Sequence, residues 1–443
     1  MNSIESKKSL GLSGEIKVPG DKSISHRALI IGSMVNGKIK IKNLLESEDV
    51  IATANALKQL DVKINKVTQN EWEVFGNGIG CLEGSNPLLD MGNSGTGVRL
   101  LMGLVAGSDV EATFTGDKSL SKRPMERIIK PLIMNGAFVH NENNNTLPIR
   151  IKGNRIPLPI KYQSPVASAQ VKSAIFLAGL SSLGKTTVIE PSLSRDHTER
   201  LLKYLGAEVI TNQLPDLSWE IILQGMPELN PLDISVPSDP SSAAFPIVTA
   251  IITPKSEVLV KNVCINKLRI GLYKTLIEMG ANIKFLNERE IDGENIADIS
   301  AKSSSLIGIT VPKSRAPSMI DEYPILAVAA SIANGVTIME GVQELRYKET
   351  DRIKAMAEGL SSMGIQTQNT EDSLTIYGKG TSSLIEGGVN IHSMLDHRIA
   401  MSFLCLGLIS KKPIIVNDTD TISSSFPNFF DEMNKIGAKL NYI

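Results

Sequence analysis

Cysteine is scarce in this chain, and its three residues stand far apart. Cys81, Cys264 and Cys405 are odd in number and form no Cys-X-X-Cys pair. The sequence therefore offers neither a disulfide framework nor the usual spacing of a zinc site. Isolated thiols are typical of proteins in a reducing compartment. We expect a cytoplasmic protein that binds no metal.

Net charge and long apolar runs are also lacking. Lys plus Arg number 46 and Asp plus Glu 47, so the formal net charge is only −1. A broad positive surface for nucleic acid or an anionic membrane is therefore not expected. No apolar run approaches the roughly 20 residues of a membrane-spanning helix, and residues 1–9 lack the apolar core of a signal peptide. The sequence predicts no nucleic-acid partner and no membrane partner.

What the chain does have is a short signature that recurs six times. An apolar residue and a Gly or Asp lead into a β-like run, at intervals of 70 to 84 residues, at Asp61, Gly136, Gly206, Gly280, Gly364 and Gly437. Self-similarity on this scale indicates a repeated architecture. Each unit contains an apolar helix, a β-branched strand, an amphipathic helix and a hairpin. A chain of 443 residues suits two domains. The sequence predicts an α/β protein of two similar domains, each with three repeated βαβαββ units.

The first helix of each unit is apolar on nearly all sides. A helix of this kind is predicted to be buried under sheet. The predicted spans are residues 28–35, 98–106, 171–180, 243–251, 325–333 and 399–408.

The ends of the chain indicate how the units are shared between domains. The sixth unit stops at Ile443 without the return strand of its hairpin, while residues 12–18 resemble a strand without a hairpin. We expect residues 12–18 to supply that strand. The predicted domains are therefore residues 21–238, and residues 1–20 with 239–443.

Polar residues gather where the predicted buried helices begin. If the units of a domain pack side by side, these helix starts point the same way and favour anions through their unpaired N–H groups. Neighbouring segments supply cations at Lys22, Arg27, Arg123, Arg195, Lys348, Arg352 and Arg398. The acids Asp321 and Glu349 stand among them and could move protons. The pattern predicts a site for small, multiply charged anions.

One phosphate-binding motif is matched by its letters alone. Residues 179–186 (GLSSLGKT) fit GxxxxGK[ST], but a P-loop needs a strand before it and a helix after it. Here an apolar helix precedes the motif and a β-branched run follows. We interpret it as an ordinary turn from helix to strand.

Six stretches resemble those of the 5-enolpyruvylshikimate-3-phosphate (EPSP) synthase family. They follow the family's order over essentially the whole chain: residues 19–27 (PGDKSISHR), 92–99 (GNSGTGVR), 168–173 (SAQVKS), 195–199 (RDHTE), 346–352 (RYKETDR) and 396–398 (DHR). The resemblance implies the family's inside-out α/β barrel fold. It also implies a carboxyvinyltransferase of the shikimate pathway of aromatic amino-acid biosynthesis. That enzyme moves the enolpyruvyl group of phosphoenolpyruvate to the 5-hydroxyl of shikimate 3-phosphate and releases phosphate.

The resemblance also implies residue roles. The residues implied for shikimate 3-phosphate are Lys22, Ser23, Arg27, Ser168, Ala169, Gln170, Arg195, Asp321 and Lys348. Those implied for phosphoenolpyruvate are Lys22, Gly95, Arg123, Gln170, Arg352 and Arg398. Asp321, Glu349 and Lys22 are implied as catalytic. The N-terminal domain is expected to hold mainly shikimate 3-phosphate, and the C-terminal domain mainly phosphoenolpyruvate and the catalytic acids. The resemblance implies a monomer that uses no cofactor and no metal.

Some alternatives stay open at this point. The motifs resemble the family's second class, which is known for tolerance of the herbicide glyphosate, but Leu268 and Gly95 depart from it, so the sequence leaves tolerance undecided.

A UDP-amino-sugar enolpyruvyltransferase is the nearest rival function. That family has a reactive Cys on a lid loop, whereas residues 116–124 contain none. An inactive anion-binding protein is the other alternative, and it would not need Asp321 and Glu349 in a phosphate site.

Overall fold

The computed structural model describes residues 2–141, 145–380 and 385–443. Its α-helices are α1 (Lys22–Gly32), α2 (Glu48–Gln59), α3 (Gly95–Ala106), α4 (Glu126–Met134), α5 (Ala169–Gly179), α6 (His197–Tyr204), α7 (Pro240–Ile252), α8 (Gly271–Glu278), α9 (Tyr323–Ser331), α10 (Arg352–Ser362), α11 (His397–Gly407) and α12 (Phe429–Lys435).

The strands, in chain order, are β1 (Ile4–Ser6), β2 (Ser13–Ile16), β3 (Asn36–Lys42), β4 (Lys63–Thr68), β5 (Glu71–Asn77), β6 (Leu88–Asp90), β7 (Glu111–Thr115), β8 (Phe138–His140), β9 (Ile149–Lys152), β10 (Lys161–Gln163), β11 (Lys185–Glu190), β12 (Val209–Gln213), β13 (Trp219–Gln224), β14 (Ile234–Ser235), β15 (Glu257–Cys264), β16 (Asn282–Ile291), β17 (Glu294–Lys302), β18 (Thr310–Val311), β19 (Asn334–Glu340), β20 (Thr367–Asn369), β21 (Ser373–Lys379), β22 (Ile385–Gly387), β23 (Asn390–His392), β24 (Ser410–Lys412), β25 (Ile414–Asn417) and β26 (Leu440–Tyr442).

Six four-stranded sheets in the described residues share one design. Their strand orders are β14-β3-β5-β4, β6-β7-β9-β8, β10-β11-β13-β12, β2-β15-β17-β16, β18-β19-β21-β20 and β23-β25-β1-β26. In each sheet the first strand is parallel to the second, and the second is antiparallel to the third. The recurrence confirms the predicted α/β fold of repeated units.

The chain separates into two compact units with three of these sheets each. The N-terminal unit comprises Gly20–Val236 and the hairpin tip Ile291–Glu294, and the C-terminal unit comprises the chain up to Pro19, Pro237–Glu290 and the chain from Asn295 onward. The buried helices α1, α3 and α5 belong to the first unit, and α7, α9 and α11 to the second.

At each of the two points where the chain passes between the units, the strand just before the crossing pairs within the unit that the chain leaves. Strand β2 precedes α1 in the chain, yet it pairs with β15, the strand that follows α7. Strand β14 precedes α7, yet it pairs with β3, the strand that follows α1. Each unit therefore completes one of its sheets with the strand that lies just before the chain enters the other unit.

The expectation that residues 12–18 complete the sixth unit is wrong. Strand β1 does so, because it pairs antiparallel with both β25 and β26, whereas β2 belongs to the fourth sheet. The sequence Ile-Glu-Ser of β1 is too short for a period-2 pattern to be recognised. The segment before Pro19 thus contributes to two sheets of the C-terminal unit.

The buried helices begin earlier than their apolar runs predict. Helix α1 begins at Lys22 rather than residue 28, and α11 begins at His397 rather than residue 399. Side chains cap their first turns, as when Asp21 accepts from the N–H of Ile24 at 2.8 Å. Lys22 and Ser23, which were predicted to precede α1, therefore lie within its first turn.

The P-loop-like segment is a turn from helix to strand, as predicted. Helix α5 ends at Gly179 and β11 begins at Lys185. Among the described residues, no helix combines the length and apolar character needed to cross a membrane.

Helices α3 and α5 run in close contact because α3 has glycine where they touch. A Cβ atom at Gly103 would lie 2.3 Å from the carbonyl oxygen of Ala174, and one at Gly107 would lie 2.8 Å from that of Ala178. The contacts occur in the same order along both segments, Gly103 with Ala174 and then Gly107 with Ala178, so the two helices are parallel. Their first turns therefore lie at the same end.

We expect Gly103→Ala to lower the free energy of unfolding by about 1–3 kcal/mol, because the added methyl group overpacks a backbone contact. Urea denaturation followed by circular dichroism measures this change. Asn55→Ala is the matched control, since Asn55 is exposed on α2. Equal stability of the two variants would contradict the close approach.

Candidate active site

The first turn of α1 presents Lys22 beside an acid. Its ammonium group pairs with the carboxylate of Asp49 on α2, and both side chains are partly exposed. Asp21 caps the helix just before it. A cation at a helix start favours negative charge at that place.

Arg27 is buried beneath this turn, with 3% of its surface exposed. Its guanidinium donates to the carbonyl oxygen of Ser23 at 2.9 Å, to Thr198 Oγ1 at 2.7 Å and to Ser173 Oγ at 2.9 Å. These bonds join α1 to α5 and α6. Arg27 thereby holds the backbone of Ser23 in place, and Ser23 is one of the residues implied for shikimate 3-phosphate.

Gln170 links the first turns of α3 and α5. Its Oε1 accepts from Arg99 Nη1 at 2.9 Å, and its Nε2 donates to Thr96 Oγ1 at 3.1 Å. Ser168 caps α5 by accepting from the N–H of Val171. The structure thus brings Ser168 and Gln170 next to the start of α3.

Arg99 is a residue that the sequence reasoning missed. It lies one helical turn after Gly95, and its Nη1 donates to the carbonyl oxygen of Gly95 at 3.3 Å. The i, i+4 spacing within residues 92–99 was the available signal, since it places both residues on one face of the helix.

Gly95 leaves room for two guanidinium groups. A Cβ atom there would lie 2.9 Å from Arg123 Nη1 and 3.2 Å from Arg99 Nη1. Arg123 also donates to Asn93 Oδ1 at 2.8 Å. Two arginines at the first turn of α3 favour negative charge there.

Arg195 and His197 lie at the start of α6. Arg195 is partly exposed, whereas His197 is buried and its Nδ1 lies 2.6 Å from Glu294 Oε1. His197 is therefore bound to the hairpin tip. No cluster of three or more His, Cys, Asp or Glu that could hold a metal occurs among the described residues.

In the C-terminal unit, Arg352 is buried among three carboxylates. Its Nε lies 2.7 Å from Asp396 Oδ2, one Nη lies 2.6 Å from Glu349 Oε2 and the other 3.5 Å from Asp321 Oδ1. Only 1% of its surface is exposed. Burial alone would lower the pKa of Arg352, but Asp396, Glu349 and Asp321 raise it above its ordinary value. The two acids predicted to be catalytic therefore share one permanent cation.

Two further cations surround Asp321. Lys348 Nζ lies 3.9 Å from its Oδ1, and Arg398 Nη1 donates to its carbonyl oxygen at 3.3 Å. Asp396 accepts from the N–H of Arg398 at 2.9 Å and caps α11. The structure thus brings together the five candidates of this unit, namely Asp321, Lys348, Glu349, Arg352 and Arg398.

Comparison with known proteins identifies the protein family of this chain. Residues 6–433 match the family described as EPSP synthase (3-phosphoshikimate 1-carboxyvinyltransferase). The chain belongs to the EPSP synthase family. Similar family members include the 3-phosphoshikimate 1-carboxyvinyltransferases of Parvibaculum lavamentivorans, 50% identical over 99% of this chain and 96% of that protein, and of Paracoccus denitrificans, 50% identical over 97% and 96%.

Solved structures of the EPSP synthase family show the same fold. An EPSP synthase structure from Acinetobacter baumannii has a TM-score of 0.90 and 42% identity, and the match covers 100% of both chains. A second structure of that enzyme has a TM-score of 0.89. The fold expected from the sequence motifs is confirmed.

His26 lies within α1 and is fully buried. Its Nδ1 lies 2.8 Å from Thr53 Oγ1, and its Nε2 has no hydrogen-bond partner within the described part of the chain. Burial lowers the pKa of His26 from 6.5 to about 3. The folded protein therefore keeps this ring neutral at pH values where the unfolded chain protonates it.

We expect His26 to make the protein sensitive to acid. Stability from its neutral ring is complete above pH 6.5 and is lost as the pH falls below that value, by about 2 kcal/mol at pH 5. Urea denaturation at pH 7 and pH 5 should show a larger loss for the wild type than for His26→Gln. Parallel losses in the two proteins would exclude this role.

Proposed function

We propose that this chain acts as a 3-phosphoshikimate 1-carboxyvinyltransferase in the cytoplasm, as a monomer. It transfers the enolpyruvyl group of phosphoenolpyruvate to the 5-hydroxyl of shikimate 3-phosphate and releases phosphate, a step in aromatic amino-acid biosynthesis. The observation that carries the function is the family match over residues 6–433. Free Cys81, Cys264 and Cys405 support the reducing compartment.

The N-terminal unit supplies most of the positions for shikimate 3-phosphate. Ser23, Arg27, Ser168, Ala169, Gln170 and Arg195 take this role, together with Lys22. The hydrogen bonds of Arg27 to Ser23, and of Gln170 to Thr96, support it because they hold the first turns of α1 and α5 in fixed positions. Preorganised donors lower the cost of ordering a charged ligand.

Phosphoenolpyruvate is assigned to Lys22, Gly95, Arg123, Gln170, Arg352 and Arg398. The two substrates together carry roughly five or six negative charges, since each phosphate contributes up to about two. Gly95 supports the assignment because its missing side chain leaves Arg123 and Arg99 close to one helix start. Arginine suits carboxylate and phosphate through paired N–H donors.

The acids of the C-terminal unit move the protons. Asp321, beside Lys348, takes the proton of the attacking 5-hydroxyl, while the hydroxyl oxygen bonds to C2 of phosphoenolpyruvate. Glu349, with Lys22, protonates the methylene carbon and takes a proton back from it as the C–O bond to phosphate breaks. The 2.6 Å contact between Glu349 and Arg352 supports this role, because it holds the carboxylate in a fixed orientation.

An assay of phosphate release tests the function. We expect release when the protein meets both shikimate 3-phosphate and phosphoenolpyruvate, and none with either substrate alone. The matched control is Asp321→Asn, purified in the same way, which should lose the release if no contaminating phosphatase is present. Release with phosphoenolpyruvate and a UDP-amino sugar, but not with shikimate 3-phosphate, would sink the proposal.

A further inference from the structure

A buried ionic cluster lies within the N-terminal unit and has no role in the chemistry described so far. Lys172 Nζ lies 2.9 Å from Glu190 Oε2 and 2.7 Å from Glu199 Oε1. The side chains of Lys172 and Glu190 are completely buried, and that of Glu199 nearly so. The three residues, here called the Lys172 cluster, come from α5, β11 and α6.

One ammonium group and two carboxylates would leave a buried negative charge. Burial raises the pKa of Glu199, which favours its neutral form. Burial alone would lower the pKa of Lys172, but Glu199 and Glu190 raise it. The three buried side chains therefore depend on one another, and on their hydrogen bonds, for the polar partners that water would otherwise supply.

Glu190 also receives hydrogen bonds from two separate loops. Its Oε1 accepts from the N–H of Ser168 at 3.0 Å and from Ser194 Oγ at 2.7 Å. Its Oε2 accepts from the N–H of Ser194 at 3.3 Å, and Lys172 Nζ also reaches the Ser194 carbonyl oxygen at 3.4 Å. Ser168 caps α5, and Ser194 immediately precedes Arg195.

We propose that Glu190, held in place by Lys172, is a positioning residue for the shikimate 3-phosphate site. By accepting from the backbones of Ser168 and Ser194, it fixes the two loops that present Ser168 and Arg195. This inference rests on the proposed function, because that function assigns both residues to shikimate 3-phosphate. The carboxylate acts through its neighbours and does not itself touch the substrate.

The variant Glu190→Gln tests the role with little change of shape. Its amide has one acceptor oxygen, so its NH₂ group must face a donor, either Lys172 or the Ser168 and Ser194 pair. We expect KM for shikimate 3-phosphate to rise at least tenfold. KM for phosphoenolpyruvate at saturating shikimate 3-phosphate, and kcat, should each stay within about threefold, because the residues that act on the reacting atoms are unchanged.

A second variant separates positioning from stability. Lys172→Met with Glu190→Leu and Glu199→Leu replaces the whole cluster by apolar groups of similar size, a change that often preserves or increases stability. We expect this triple variant to unfold near the wild-type temperature and yet to keep the raised KM for shikimate 3-phosphate. Lys161→Met is the matched control, because Lys161 forms an exposed pair with Glu220 in the same sheet. It should behave like the wild type.

The outcomes distinguish this inference from the proposed function. A wild-type KM for shikimate 3-phosphate in either Glu190 variant would overturn the positioning role while leaving the function intact. Equal rises in KM for both substrates would also overturn it, since the effect would then be general. A wild-type protein that neither binds nor consumes shikimate 3-phosphate would instead overturn the proposed function.

Discussion

The candidate site depends on buried polar groups, whose hydrogen bonds and charges must be matched by other protein groups instead of water. A buried charge is stable only when partners replace the water that it loses. Arg352 meets this condition with three carboxylates, Arg27 with two hydroxyls and a carbonyl oxygen, and Lys172 with two glutamates. Each of these cations joins separate helices. The same contacts that satisfy a buried charge therefore also fix the helix first turns that carry the candidate binding residues.

The two units solve this problem with different chemistry. In the N-terminal unit, Arg27 donates to two hydroxyl oxygens and a carbonyl oxygen. In the C-terminal unit, Asp321, Glu349 and Asp396 surround Arg352. The first arrangement fixes an arginine beside Ser23, and the second fixes Asp321 and Glu349 around one cation. This contrast agrees with the proposed division between substrate binding and proton transfer.

Much of the fold could be predicted from the sequence because it repeats. The six recurring signatures gave the number of units, and the all-round apolar helices indicated which helices are buried. Strand β1 was missed because three residues cannot show periodicity. The sheet positions of β2 and β14 depend on pairings with strands far away in the chain. Helix starts were placed too late because capping by Asp21 or Asp396 leaves no apolar signal.

The candidate site could be predicted in composition but not in contacts. Family motifs named Arg27, Arg352 and Glu349, yet no motif shows that Arg27 is enclosed by Ser173 and Thr198. Arg99 was missed although its spacing from Gly95 was visible. Lys172, Glu190 and Glu199 are separated in sequence, and only the packing of α5, β11 and α6 brings them together. Long-range burial determines these contacts, and a single sequence does not encode it in any local pattern.

We propose that Arg352 positions Asp321 and Glu349, the two acids assigned to proton transfer. The most direct measurement is kcat at saturating phosphoenolpyruvate in Arg352→Lys, which keeps the charge but cannot span Asp396, Glu349 and Asp321 at once. We predict a loss of at least about tenfold, since charge-assisted hydrogen bonds contribute about 1.5–3 kcal/mol each, with the far-ultraviolet circular dichroism unchanged. A value within about threefold of the wild type would contradict the claim.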